Sequence, residues 1–221
     1  MDTSLRAFED DDSAEDFSLD LPNLKVEIMQ KTCECLQRGL THSYKWLSEI
    51  LYSLRNHGSN SPSANLSVDQ DTEVYFMAKS YFDLKEYDRC AFFTEKSQTS
   101  PLVKFLHYYS KYLAGEKRRL DAQTDIIVSN TLSNLEYLKD LRSALHKMYV
   151  EDESQMDGYM LYLYGVVLKK LNLKSEAKNM LLESVWKEPC LWSGEYSLCD
   201  YFAILYSKTK DTYVPFQRGK N

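Results

Sequence analysis

The chain has 221 residues, 43% of them hydrophobic and 27% charged, enough to bury a sizeable core, and no run of about 18 apolar residues that would cross a bilayer. Its formal charge of -6 is unevenly placed: residues 1–20 hold eight acids and one base, leaving 25 acids and 26 bases elsewhere, a balance that argues against a nucleic-acid binder. The five cysteines, Cys33, Cys35, Cys90, Cys190 and Cys199, form no CxxC pair or zinc spacing, so reduced structural thiols are expected, with no metal and no cofactor.

Residues 1–20 are rich in acids and Ser and poor in large apolar side chains, so they are expected to form a disordered acidic tail. The start, MDTSLRAFEDDD, lacks the basic and apolar regions of a signal peptide, which points to an intracellular, reducing location. From Leu21 the pattern turns helical: Leu24, Ile28, Cys35, Leu36 and Leu40 line one face, then Leu47, Ile50, Leu51 and Leu54 line another after Gly39, predicting a helical hairpin. Residues 57–71, HGSNSPSANLSVDQD, read as a polar linker.

Helices are then predicted over 71–84, 86–98, 101–114, 130–149, 156–170, 174–187 and 192–207, with Ser100 and Pro101 as N-cap and first-turn residue of the third. Residues 116–130, EKRRLDAQTDIIVSN, break the apolar rhythm and are expected to form an inserted loop, and residues 208–221 a frayed tail. Period-two alternation is almost absent, so the fold is expected to be all-α.

Superposing the helical pairs exposes a repeat of about 34 residues, the period of tetratricopeptide units. With Gly158 at position 1, Leu161 falls at 4, Tyr164 at 7, Gly165 at 8, Leu168 at 11, Ala177 at 20, Leu181 at 24, Ser184 at 27 and Pro189 at 32. A second copy counted from Asp71 brings Val74, Met77, Ala78, Tyr81, Cys90 and Ser97 to the same sites, with Thr94 a polar departure that Phe93 is expected to cover. A third, from Val103, has Leu106, Tyr109, Ser110 and Leu113 in register, and Leu198, Cys199 and Phe202 open a further first helix.

The physical basis is steric: helices whose axes lie about 8–10 Å apart admit only small side chains at closest approach. A mid-helix glycine costs about 1 kcal/mol against alanine, so Gly165 is expected where the partner helix near Ala177 comes too close for a larger group. The expected packing residues are therefore Ala78, Tyr81, Cys90, Ser110, Leu161, Gly165, Ala177, Leu181 and Pro189, and the expected fold is a right-handed superhelical solenoid of antiparallel helix pairs.

Catalytic signatures are missing: there is no GxSxG, P-loop, HExxH or glycine-rich phosphate cradle. The four histidines show no metal spacing, and His107, in a tyrosine-rich helix, reads as a packing or groove-facing residue. Lys117, Arg118 and Arg119 read most simply as a solvated charge run. Tyr75, Lys79, Tyr162 and Val166 stand where a carboxylate clamp would need Lys and Asn, so that clamp is not evident. A non-enzymatic protein offering surface for association is expected.

Four stretches carry a more specific signal: RGLTHSYKWLSEIL (38–51), AKSYFDLKEYDRCAFF (78–93), YYSKYLAGEKRR (108–119) and DGYMLYLYGVVLKKLNL (157–173). Together they resemble the N-terminal half of the subunit 8 family of the anaphase-promoting complex, the cell division cycle protein 23 family, over about Leu21 to Leu205. Cys90 stands where that family usually has Ala. The resemblance implies a scaffold subunit of a mitotic ubiquitin ligase in nucleus and cytoplasm, joined to other subunits of the complex, with N-terminal repeats that form a two-fold homodimer.

On the residues alone, a solenoid end exposes apolar surface unless capped, and a second copy would cover it with one self-complementary patch. Leu24, Ile28, Leu36, Leu40, Trp46, Leu47 and Leu51 are the expected dimer contacts, the first two helices of each chain entering the other's groove. A monomeric peptide-binding adaptor is the alternative.

Overall fold

The computed structural model describes residues 20–56, 72–97, 100–124, 135–152 and 156–191. The predicted linker 57–71, the last helix 192–207 with Leu198, Cys199 and Phe202, the tail 208–221 and, apart from Asp20, the acidic tail lie outside the described residues. Every regular element among them is helical: α1 Leu21–Gln37, α2 Thr41–Ser53, α3 Thr72–Asp83, α4 Tyr87–Thr94, α5 Pro101–Thr124, α6 Glu136–Glu151, α7 Gly158–Lys170 and α8 Lys174–Lys187. The protein is an all-α solenoid of the tetratricopeptide type. It divides into two compact units, residues 1–66 with α1 and α2, and residues 67–221 with α3 to α8.

Three helix pairs are joined by the same turn. Gly39, Lys85 and Asn172 have φ of 70°, 61° and 63°, the left-handed conformation that ends a helix. The next amide in each case reaches back five residues: Leu40 donates to the Cys35 carbonyl at 3.0 Å, Glu86 to Tyr81 at 2.9 Å and Leu173 to Leu168 at 3.0 Å. That residue's own carbonyl then accepts the first bond of the following helix, from Tyr44, Cys90 and Ala177. Orphan carbonyls of one helix are satisfied and the next is started within three residues.

This turn fixes the register of each pair. Seven residues before the left-handed residue stand Thr32, Ala78 and Gly165, and five after it stand Tyr44, Cys90 and Ala177, all buried. The first hairpin therefore follows the same repeat, although its buried positions are filled differently. Polar Thr32 and Ser48 lie inside and turn their hydroxyls onto the carbonyls of Ile28 and Tyr44, each at 2.7 Å, while Tyr44 supplies the bulk. Local bonding of this kind lets a hydroxyl sit in a helix core without an unsatisfied donor.

Within the second unit, α3 touches α5 and α5 touches α7, so the first helices of successive pairs form one wall, while α4, α6 and α8 lie behind them. Met160, Leu161, Leu163, Tyr164, Val167 and Leu168 of α7 are all buried, because that helix is enclosed by α5, α6 and α8. An added Cβ on Gly165 would lie 2.6 Å from Leu181 Cγ and 3.3 Å from the Leu181 amide nitrogen. The close approach expected at Gly165 is present, but it is made with Leu181, one turn beyond Ala177.

Two expected boundaries are overturned. Residues 116–124, expected to begin a loop, continue α5 to Thr124. EKRRLDAQ contains no Gly or Asn to favour a left-handed turn and no Pro to end a helix, and its residues other than Asp121 are good helix formers. Residues 125–130 of the expected loop lie outside the described residues. α4 also ends at Thr94, earlier than the predicted 98.

Gly165→Leu should lower unfolding stability by about 1–3 kcal/mol through overpacking against Leu181, read as a reduced urea midpoint; an unchanged midpoint would show the contact to be loose. Lys85→Gly should raise stability by about 0.5–1 kcal/mol by relieving the left-handed backbone. Asn172→Gly should change it less, since Asn tolerates that conformation better, and both are read from the same titration.

Candidate functional site

The expected packing residues converge on seams between helices. Ala78, Tyr81 and Cys90 are buried between α3 and α4, and Ser110 of α5 donates its hydroxyl to Cys90 Sγ at 3.0 Å, so the small positions of consecutive pairs meet. Leu161, Gly165, Ala177 and Leu181 form the α7–α8 seam, and Pro189 follows the end of α8 at the surface. Burial pushes the Cys90 thiol up to about 11, which keeps it protonated and unreactive.

Thr94 is held by its own polar contacts. It is itself buried and donates to the Cys90 carbonyl at 2.8 Å, while Phe93 stacks on Tyr81 with centroids 5.3 Å apart. His107 lies beside it, 2% exposed, with Nδ1 3.0 Å from both the Ala91 carbonyl oxygen and the Thr94 hydroxyl. A carbonyl only accepts, so the ring proton is assigned to Nδ1. Burial, and after it the Lys111 ammonium, lower the imidazole to about 4, so it is neutral at pH 7.

The wall of first helices carries a row of aromatic rings. Phe82 of α3 lies 5.7 Å from Tyr109 of α5, Tyr109 stacks on Phe105 at 5.3 Å, and Phe105 meets Tyr159 of α7 at 6.1 Å. Aromatic pairs at these separations add to area burial and hold the wall rigid. At its α3 end Lys79 pairs with Asp83 and lies 5.8 Å from the centroid of the Phe82 ring, so the cation at that position is already engaged.

Of the expected dimer contacts, Leu24, Ile28, Leu36 and Leu47 are half-buried, and Leu40 and Trp46 are 50% and 62% exposed. Leu51 has no exposed surface and belongs to the interior instead. Val26, 60% exposed, adds an apolar side chain that periodicity did not single out, because it lies off the stripe facing α2.

A second cluster escaped sequence reasoning altogether. Glu116 accepts hydrogen bonds from Arg119 at 3.0 Å, Lys170 at 3.1 Å and the Tyr137 hydroxyl, tying α5 to α6 and α7. Burial pushes its carboxyl up, but these three donors outweigh burial and hold it below the usual range. Beside it, an added Cβ on Gly115 would lie 2.1 Å from Tyr137 Cδ2, so only glycine lets that ring through. Among the described residues no group of three His, Cys, Asp or Glu side chains is placed to hold a metal ion.

The family model described as Anaphase promoting complex subunit 8 / Cdc23 matches residues 23–206, a span that opens in α1 and takes in every helix pair. The chain belongs to that family. Cell division cycle protein 23 homolog of Homo sapiens is 37% identical over 195 residues, covering 84% of this chain and 31% of the human protein. Anaphase-promoting complex subunit 8 of Dictyostelium discoideum is 28% identical over 235 residues, covering 79% and 39%. The subunit 8 protein of Arabidopsis thaliana is 38% identical over 157 residues, covering 66% and 25%. The chain thus spans less than two fifths of the length of each of these family members.

The buried imidazole gives a pH test. A group whose folded pKa is depressed contributes stability above its unfolded value of 6.5 and loses it as pH falls toward about 4. Wild type should lose up to about 3 kcal/mol across that window, whereas His107→Asn, which keeps a donor, should show a shallower loss in urea titrations at successive pH values.

Proposed function

We propose that this chain is a non-catalytic tetratricopeptide scaffold subunit of the anaphase-promoting complex, a multisubunit ubiquitin ligase acting in mitosis, and that its first hairpin mediates two-fold homodimerisation. It works in nucleus and cytoplasm, with other subunits of the complex as partners and with no nucleic acid or membrane. The family match supports the complex; one feature of the surface supports the dimer.

That feature is the first hairpin, a unit of two helices with Val26, Leu40 and Trp46 each at least half exposed. Two helices cannot enclose a core of their own, and large exposed apolar side chains grouped on one small unit mark an association surface. A two-fold axis lets one patch serve both copies, the hairpin of each entering the groove of the other. The aromatic row on α3, α5 and α7 favours a second reading, a monomeric adaptor that binds peptides on that wall.

Sedimentation equilibrium separates the two. The intact chain should be dimeric at micromolar concentration, and the double substitution Leu40→Asp with Trp46→Glu should make it monomeric while helicity by circular dichroism is unchanged. A wild-type monomer would favour the adaptor, and co-purification of other subunits of the complex from dividing cells tests the scaffold role.

A further inference from the structure

The second helices behind the aromatic wall do not close against one another: α4 and α6 both pack on α5 but make no comparable contact between themselves. The gap leaves a depression of about 300 Å³, floored by Ala91, Leu141 and Ala144 and walled by the rings of Tyr108 and Tyr137. A second depression of about 320 Å³, between the α3–α4 turn and α5, adjoins it at Asp88. With Asp88 lining both, the two depressions are neighbours along α5 and are described together as one trough.

Its charge differs from that of the chain as a whole. Asp88 is met by Arg118 at 3.8 Å, and Glu86 by Arg89 at 2.8 Å. Lys85, Lys111 and Lys117 also line the trough and have no ion-pair partner among the described residues. One acid, Asp140, is likewise unpaired there. Three unpaired lysines against one unpaired aspartate make this surface locally basic, on a chain whose residues 21–221 hold 25 acids and 26 bases. Lys117 and Arg118, which the sequence presents as a solvated run, are brought here because α5 continues through them.

We propose that this trough is a docking site for an extended acidic peptide of a partner protein, its carboxylates facing Lys85, Lys111 and Lys117 and one aromatic or aliphatic side chain seated between Tyr108 and Tyr137. The small floor residues and flanking rings suit one such anchor, with a volume at the lower end for ligand sites. The lysines supply steering and orientation, so binding weakens with salt.

The test uses the intact chain and a fluorescein-labelled decapeptide, EDEDFEDEDE, followed by fluorescence anisotropy at 0.1 M salt. Saturable one-to-one binding is expected, weakened about tenfold or more by Lys111→Glu with Lys117→Glu and several-fold when the peptide Phe is replaced by Ser. Lys174→Glu with Lys178→Glu, exposed and half-exposed positions on α8 that line neither depression, should leave it unchanged. Amide resonances of Ala91, Leu141 and Ala144 should shift on titration. Absence of saturable binding overturns the proposal, as does equal weakening by both pairs of substitutions or shifts confined to other residues. Probe binding that falls as protein concentration rises would give the trough to a second copy and also overturn it.

Discussion

The structure depends on two antiparallel helices approaching so closely that a side chain at the crossing must be small or absent. At Gly165 the space a methyl group would need is already held by Leu181, and at Ala78 and Cys90 small groups are sealed completely. Such contacts restrict where each helix can sit along its partner, because sliding by one residue would bring a larger neighbour to the crossing. The left-handed turn supplies the matching backbone constraint. Together they make each hairpin a unit of fixed register, and the wall of first helices and the second helices behind it follow from stacking such units.

Much of this was legible in the residues. Gly165, Ala177 and Leu181 stand at fixed offsets around the LNLK turn, and a helical repeat is visible because close packing restricts residue type at those positions. The pattern of the first hairpin shows helices but hides the repeat, since Thr32 and Ser48 are polar and turn their hydroxyls onto their own helix backbone. Nothing in a pattern of apolar residues reveals a buried hydroxyl satisfied four residues away.

The helix over residues 116–124 is hidden for a related reason. Broken apolar rhythm predicts a loop, but α5 there runs on where its side chains need not face a core, and a helix in that setting is held by propensity and ion pairs. The same extension creates the Glu116 cluster, whose members are as far apart in sequence as Glu116 and Lys170 and share no motif. Long-range polar clusters depend on how elements stack, so they become visible only once the stack is built.

The identical spacing of the three turns bears on how such a chain can vary in length. Thr32 to Tyr44, Ala78 to Cys90 and Gly165 to Ala177 are the same distance apart in sequence, while the intervals between successive hairpins differ widely. An extra residue inside a hairpin rotates every following side chain by about 100° and ruins the crossing, whereas one added between hairpins disturbs none of them. Insertions and deletions are therefore kept out of the hairpins closed by this turn and channelled to the joints, or to a pair such as α5 and α6, whose first helix runs on past the turn position.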